Sequence, residues 1–531
     1  MAVFEIKEWS GGISSFSDRG QRGSAKMTTN LDIRKTTDTL TCGQALKDEG
    51  LFDTSHSQSS SLSQSASQSP SRSTSSSPSP SNSPSKSASP SGSASKSASK
   101  SASPSGSSSP SGSASPSLSP SAGLNNVFVD LIYFFVKASD GNTYGFGHAG
   151  NIYRRYSDGF TRNVYKDPNG GIKGAVEKPS SGGGTYLQWA TGTKVMRKPL
   201  PGASNWSDVE EIMTDLTGTD WHTMIQVGGD NMIANNSSLA MVGYDDSTSN
   251  EVLDLIPGRI AKVLVERNGR VVTGTYKAGF PNKGVNAMID CEVPLAQIGD
   301  DGELFFANFT DTMPAKRFPG GGRVNPGGVT NEVDQIEIFD WENGADSYID
   351  KQTLGNMSLW GVFNADANRN GVYSYGRKNK EQPFTMNLEY ALEVDEIGAV
   401  ANVEGTTIIS YRDGNDYGVK AVDSTAKAQG VFESLEFRSP IKQAEQITEW
   451  KMTEILAETL PAGTSVELWY KVNKASSWTQ ANTADGGTSF SSGKKGVFRI
   501  GAEGDVFEEK IVLNPSGNTS PVVLRSRTYF E

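Results

Sequence analysis

"NNVFVDLIYFFVKASDGNTYGFGHAGNIYRRYSDGFTRNVYKD" (Asn125–Asp167) holds four short apolar or alternating runs, parted by Asp140-Gly141, Gly150-Asn151 and Asp158-Gly159. Asp-Gly between alternating runs is a strong hairpin signal, because both central residues of a type I′ turn take positive φ. The stretch therefore reads as a four-stranded antiparallel meander. Similar units follow. "GRIAKVLVERNGRVVTGTYK" turns at Asn268-Gly269, "MSLWGVFNADANRNGVYSYG" at Asn370-Gly371 and "GTTIISYRDGNDYGVKAV" at Asp413-Gly414. First strands are expected near Val127, Lys173, His222, Ala261, Leu304, Leu359 and Ile397, on average about 45 residues apart. Such a period suits β-propeller blades of roughly 40–50 residues. An array of β-sandwiches would also show short strands with frequent turns.

The expected fold is all-β: a propeller of about seven blades over residues 123–442, and a β-sandwich over 443–531. In the second region Val466, Leu468, Tyr470 and Val472 alternate onto one face. Gln443–Leu456 reads equally as a short helix or a strand. Residues 1–54 are expected to supply strands that close the propeller ring. Leu31–Leu46 is the candidate to complete the last blade, near Val431–Phe437.

Between these segments lies a low-complexity tract, residues 55–122. From Ser55 to Ser121 every odd-numbered residue is serine, 34 in all. The tract cannot bury apolar area to offset its ordering entropy, and its prolines block a regular ladder. It reads as an extended Ser/Pro/Ala linker. If extended, it would place every odd serine on one face, a pattern suited to O-glycosylation or to stacked hydroxyl rows.

The net charge is −11 over 531 residues, and the tract itself carries four basic and no acidic residues. The rest of the chain is thus at −15, which argues against a general nucleic-acid surface. Two cysteines, Cys42 and Cys291, make no disulfide framework and no Cys-rich zinc site. The opening "MAVFEIKEWSGG" lacks the basic and apolar regions of a secretory signal. No run of 18 apolar residues exists, so no membrane helix and no membrane partner are expected.

No catalytic, cofactor or metal site is assigned. Histidine occurs only at His56, His148 and His222, and the last two are expected to pack within blades. Asp366-x-Asn368-x-Asn370-Gly371 matches the first half of a calcium loop, but Arg377 stands where a bidentate Glu is required. An Asx-rich turn is the expectation. Glu210-Glu211, Asp245-Asp246 and Asp300-Asp301 read as solvated loop charge, since a glycosidase pair must face across a cleft. "FPGGGRVNPGGV" (Phe318–Val329) lacks the ending of a phosphate loop and reads as a long mobile loop.

The opening segment carries Gly11-Gly12-Ile13, then Gly23-Ser24, Asp32-Ile33-Arg34 and Gln44-Ala45-Leu46. In this order the pattern resembles the start of tail-associated propeller proteins of tailed bacteriophages. "SDGNTYGFGHAGNIYRR", "GGTYLQWATGTKVMRK" and Asp254-Leu255-Ile256-Pro257 are similar to the same group in style. The chain resembles the nozzle proteins of short-tailed phages more distantly. The resemblance covers residues 1–54 and about 123–440, and it carries no site residues. It implies a non-enzymatic virion protein made in the host cytoplasm, forming a symmetric oligomer in the tail or tail tip. Its partners would be copies of itself and other tail proteins, with DNA only as passing cargo. The serine tract departs from the pattern and would have to project outward. Two other readings stand beside this one: a module binding host-surface glycan, and a glycoside hydrolase.

Overall fold

The computed structural model describes residues 2–9, 11–13, 24–33, 38–52, 128–156, 159–201, 206–218, 221–255, 257–267, 270–277, 287–290, 305–306, 316–317, 321–336, 353–365, 369–377, 385–438 and 447–531. The serine tract, His56, Cys291 and Asp300-Asp301 lie outside them. Every regular element among the described residues is a strand.

The chain is a β-propeller followed by a β-sandwich. Blade I is the quoted meander: Ile132–Lys137, Thr143–Gly147, Asn151–Tyr156 and Gly159–Lys166, with Leu51–Phe52 added in parallel outside. Its first turn falls at the expected place but is not type I′: Gly141 N donates to Ala138 O at 3.0 Å, and Asp140 does not take positive φ. Gly141 takes φ +83, and Asp140 accepts hydrogen bonds from Asn142 N at 3.0 Å and the Tyr144 hydroxyl at 2.8 Å. Blade II is Ile172–Pro179, Thr185–Thr191, Lys194–Leu200 and Glu210–Met213. Blade III is Met224–Val227, Asp230–Asn235, Ser238–Val242 and Thr248–Asp254. Blade IV holds Arg259–Arg267, Arg270–Lys277 and Ala287–Asp290. Blade V is Gly321–Ile336, Thr353–Ala365, Gly371–Arg377 and Thr385–Ala391. Blade VI is Glu396–Val403, Thr406–Asp413 and Asp416–Lys427. Six sheets are thus traced among the described residues, with a hairpin of Phe305–Phe306 and Lys316–Arg317 between the fourth and fifth.

Separate apolar clusters lie between successive blades. Phe146, Ile152 and Trp189 join I to II, Val195, Met213 and Ile233 join II to III, and Leu239 and Leu264 join III to IV. Phe363, Val372 and Ile397 join V to VI, and Ile132, Tyr153, Ile408 and Val419 join VI back to I. At the first strands, backbone meets backbone. A Cβ on Gly174 would collide with His222 O, one on Gly398 with Ile132 O, and one on Gly327 with Tyr133 O. Glycine is what lets neighbouring blades approach so closely there.

The ring closes through the N-terminal segment, but not with the pairing expected. Gln44–Asp48 completes blade VI against Asp416–Lys427, with Lys420 opposite Asp48 and Val422 opposite Leu46. Val431 does receive an N-terminal strand. It is the earlier one, Ser24–Thr29, and the pair belongs to the sandwich. Apolar burial explains the choice: Ala25, Leu31 and Phe432 share the sandwich core with Trp9. The segment 1–54 therefore serves both modules, and the sandwich draws strands from Gly430 onward.

One sandwich sheet runs Ala2–Ile6, Val523–Phe530, Glu449–Ala457, Lys495–Glu503, Asn482–Thr483. The other includes Ser24–Thr29, Gly430–Ser434, Val506–Asn514, Ser465–Val472 and Thr479–Gln480. Over its described part, Gln443–Leu456 contributes to a strand, Glu449–Ala457, and not to a helix. Val466 and Leu468 are fully buried, and Tyr470 and Val472 pack against the core, as their alternation predicts. The two modules share a continuous sheet, because Thr29 pairs in parallel with Leu388 of blade V. Asn30 N donates to Leu388 O at 2.8 Å, Asn387 Nδ2 to Leu31 O at 2.9 Å, and Ala391 N to Asn30 Oδ1 at 2.9 Å.

Candidate functional site

In a ring of like-oriented meanders, the starts of the first strands share one face. Here they bring together Tyr133 of blade I, Lys173 of II, Trp221 just ahead of III, Asn325 of V and Glu396 of VI. Tyr133 meets Trp221 edge-on at 4.8 Å, and Lys173 Nζ lies 5.6 Å over the Trp221 ring. Tyr133 also meets His148 at 5.7 Å, and His148 lies 6.0 Å from Tyr417 of blade VI. Glu396 Oε1 accepts from Asn325 Nδ2 at 3.0 Å. Its Oε2 accepts from Arg412 Nε at 3.3 Å and Nη2 at 3.2 Å.

A buried carboxylate fixes this mouth from below. Asp130 accepts from Ala149 N at 3.0 Å, Asn151 Nδ2 at 2.9 Å and the Tyr153 hydroxyl at 2.5 Å. It thereby holds the turn that carries His148. Leu131 N donates to His148 Nδ1 at 3.2 Å, and His148 N donates to Leu131 O at 2.8 Å. An accepting Nδ1 places the ring proton on Nε2.

Burial first, and the Glu396 charge second, push the Tyr133 phenol up to about 12. It stays protonated and acts as a donor at ordinary pH. Glu396 is held by three donors, and His148 Nδ1 by a backbone N–H. Among the described residues, no group of three or more His, Cys, Asp or Glu is placed to hold a metal ion.

Apart from His148 and Asn325, the described residues that the sequence singles out as candidates take no part in this mouth. His222 is buried, with Nδ1 2.9 Å from Ala234 O and Nε2 3.3 Å from Gly218 O. Glu210 and Glu211 pair with Arg197 and Lys194, both at 2.5 Å, along the outer strands of blade II. Asp245 accepts from Ser247 within its turn, while Asp246 binds Lys178 at 3.1 Å and Arg197 at 3.2 Å. Asn370 closes a turn, accepting from Ala365 N at 2.9 Å; Asp366 and Asn368 lie outside the described residues. Phe318–Val329 is not a loop over its described part. From Gly321 it is the first strand of blade V, with a register shift between Val324 and Val329, and Asn325 within it is buried. Cys42 is a buried free thiol, pushed up by that burial.

A second concavity of about 440 Å³ lies where blade VI meets blade I, lined by Glu49, Arg155, Thr406 and Ser424. Arg155 and Glu49 form a 2.6 Å ion pair there, Asp48 pairs with Lys420 at 2.8 Å, and Lys47 also lines it.

No family model matches the chain, and no curated protein matches it in sequence. Several solved structures align with about half of the chain. A streptogramin B lyase shows 12% identity and a TM-score of 0.36, covering 56% of this chain and 94% of the lyase. The PQQ-bound aldose sugar dehydrogenase of Streptomyces coelicolor shows 10% identity and a TM-score of 0.33, covering 56% and 95%. An inactive virginiamycin B lyase from Staphylococcus aureus shows 10% and 0.31, covering 55% and 80%. Similarity of this order assigns no activity.

Proposed function

We propose that the protein is a non-catalytic structural component of a tailed-phage virion, built into the tail or tail tip as a symmetric oligomer. The observation that carries this reading is the weld at Thr29 and Leu388. It runs one hydrogen-bonded sheet from blade V into the sandwich, so both modules move as one body. Such a body transmits load between neighbours better than it opens and closes around a substrate. The propeller mouth supports the reading too, because Glu396 and Arg412 are committed to each other. The pattern of the opening segment supplies the virion context. In that setting the acidic chain tolerates passing DNA without retaining it, and the self-contacts form a closed symmetric ring.

Native mass spectrometry of the full chain tests the assembly. A single closed oligomer of fixed copy number at micromolar concentration is expected. A monomer persisting at that concentration would overturn the reading.

A further inference from the structure

The outer face of the second sandwich sheet carries an arrangement that the assembly reading does not use. Trp469 lies directly across from Lys510 on the neighbouring strand and across from Gln480 on the other side. Lys510 Nζ sits 4.7 Å from the Trp469 ring and 5.1 Å from the Trp478 ring, and Lys471 Nζ sits 4.7 Å from Trp478. Aromatic and cation thus alternate along one patch: Trp469, Lys510, Trp478, Lys471.

Two further features make the patch a built one. First, Trp469 is fixed in its plane by its own strand. Its Nε1–H donates to Glu467 Oε2 at 3.1 Å, and the same carboxylate accepts from Gln480 Nε2 at 3.0 Å and Asn514 Nδ2 at 2.9 Å. Second, the two ammonium groups stand near carboxylates but are not ion-paired with them: Glu508, across from Lys471, is held by Lys26 at 2.7 Å. Neither Lys471 nor Lys510 forms an ion pair among the described residues, although the chain carries a net charge of −11. Glu433, directly across from Lys510, is engaged instead by Arg369 at 3.3 Å. Burial of Lys510 first, and the neighbouring Lys471, lower its pKa against the pull of Glu433 and Glu467.

We propose that this face binds an acidic glycan, its sugar rings stacking on Trp469 and Trp478 and its carboxylates meeting Lys471 and Lys510. The polar groups around Glu467 stand where ring hydroxyls would lie. A single-stranded nucleic acid could also stack on indole rings, but it carries a charge on every nucleotide and needs a basic groove. Two lysines beside Glu433 and Glu467 do not make one. A uronate carries its carboxylate on the stacking ring itself, so two cations set between two indoles suffice to meet it.

Calorimetric titration of the full chain with tetragalacturonate, cellotetraose and a short oligothymidylate tests the assignment. Saturable binding of tetragalacturonate is expected. It should weaken at least about tenfold in the K471Q/K510Q double variant, a loss of about 1.4 kcal/mol. W478A should lose it as well, while W478F retains it, each with an unchanged melting temperature. The proposal is overturned if tetragalacturonate gives no saturable heat or if the lysine variant binds it as well as the parent. Tighter binding of oligothymidylate also overturns it. Equal affinity of W478A and W478F would show that the patch is cross-strand packing only.

Discussion

Replacing Glu509 by glutamine should remove most of the pH dependence of sandwich stability between about pH 5 and 8. Glu509 lies on the strand Val506–Asn514, is 0% exposed, and points into the space between the two sheets. Its Oε2 accepts from Thr528 Oγ1 at 3.1 Å, and Thr528 in turn contacts Thr453 Oγ1 at 2.8 Å. Oε1 has no hydrogen-bond partner. Burial pushes this carboxyl from 4.5 up to about 7. A raised carboxyl pKa means the folded protein holds its proton where the unfolded chain releases it. The contribution is therefore fully present below about pH 4.5 and is lost as pH rises through about 7. The gap corresponds to about 3 kcal/mol. Carboxylates held below their usual range, such as Glu5 beside Arg527 and Asp246 beside Lys178, act in the opposite direction and at lower pH. Urea unfolding followed by tryptophan fluorescence reads the effect, because Trp450 stacks on Phe507 at 4.7 Å in the same core. The parent should lose about 3 kcal/mol from about pH 5 to pH 8, and E509Q should stay nearly level and be the more stable at pH 8. Equal slopes in the two proteins would refute the reasoning.

Other outcomes follow from the blade contacts and the serine tract. G174A should destabilise the propeller by about 2–3 kcal/mol, since a methyl there meets His222 O, whereas G192A at an open turn should cost only about 1 kcal/mol through its φ of +55. Paired thermal melts compare them, and equal losses would contradict the close-approach argument. Removing the Arg412 guanidinium leaves Glu396, itself largely buried, with only Asn325. R412A should cost about 1–2 kcal/mol in urea melts, less at high salt, while R412K should recover part of it. Replacing residues 55–121 by a short Gly/Ser linker should leave the melting temperature within about 2 °C of the parent, because the tract has no apolar surface to bury. Intact mass of the parent and the deletion shows whether sugar-sized steps ride on the tract's serines.

Much of the propeller was legible because its signals are local. The expected first strands at Lys173, His222, Ala261 and Ile397 lie within a few residues of strands that start at Ile172, Met224, Arg259 and Glu396. Asp-Gly turns and two-residue alternation act over a handful of residues. Blade V was missed at its first strand because Gly321–Val329 looks like a loop by composition. There the glycines serve close packing, with Gly327 against Tyr133 O and Gly328 near Gly398 O. The closing strand was legible as an idea but not as a register. The choice between Val422 and Val431 as partner depends on burial hundreds of residues away, with Leu31 and Trp9 drawn into the sandwich core. The mouth carried a faint signal: Lys173, Trp221 and Glu396 all stand at or beside expected strand starts. Asn325 and Arg412 could not join them until the ring was closed in space.

The central claim, that this chain is a building block of a tailed virion, is tested most directly by quantitative peptide mass spectrometry of purified, intact phage particles whose genome encodes it. The account predicts its peptides in the particles at a fixed integer ratio to other tail proteins, unchanged by salt washing. Peptides found in the lysate but missing from washed particles would contradict it.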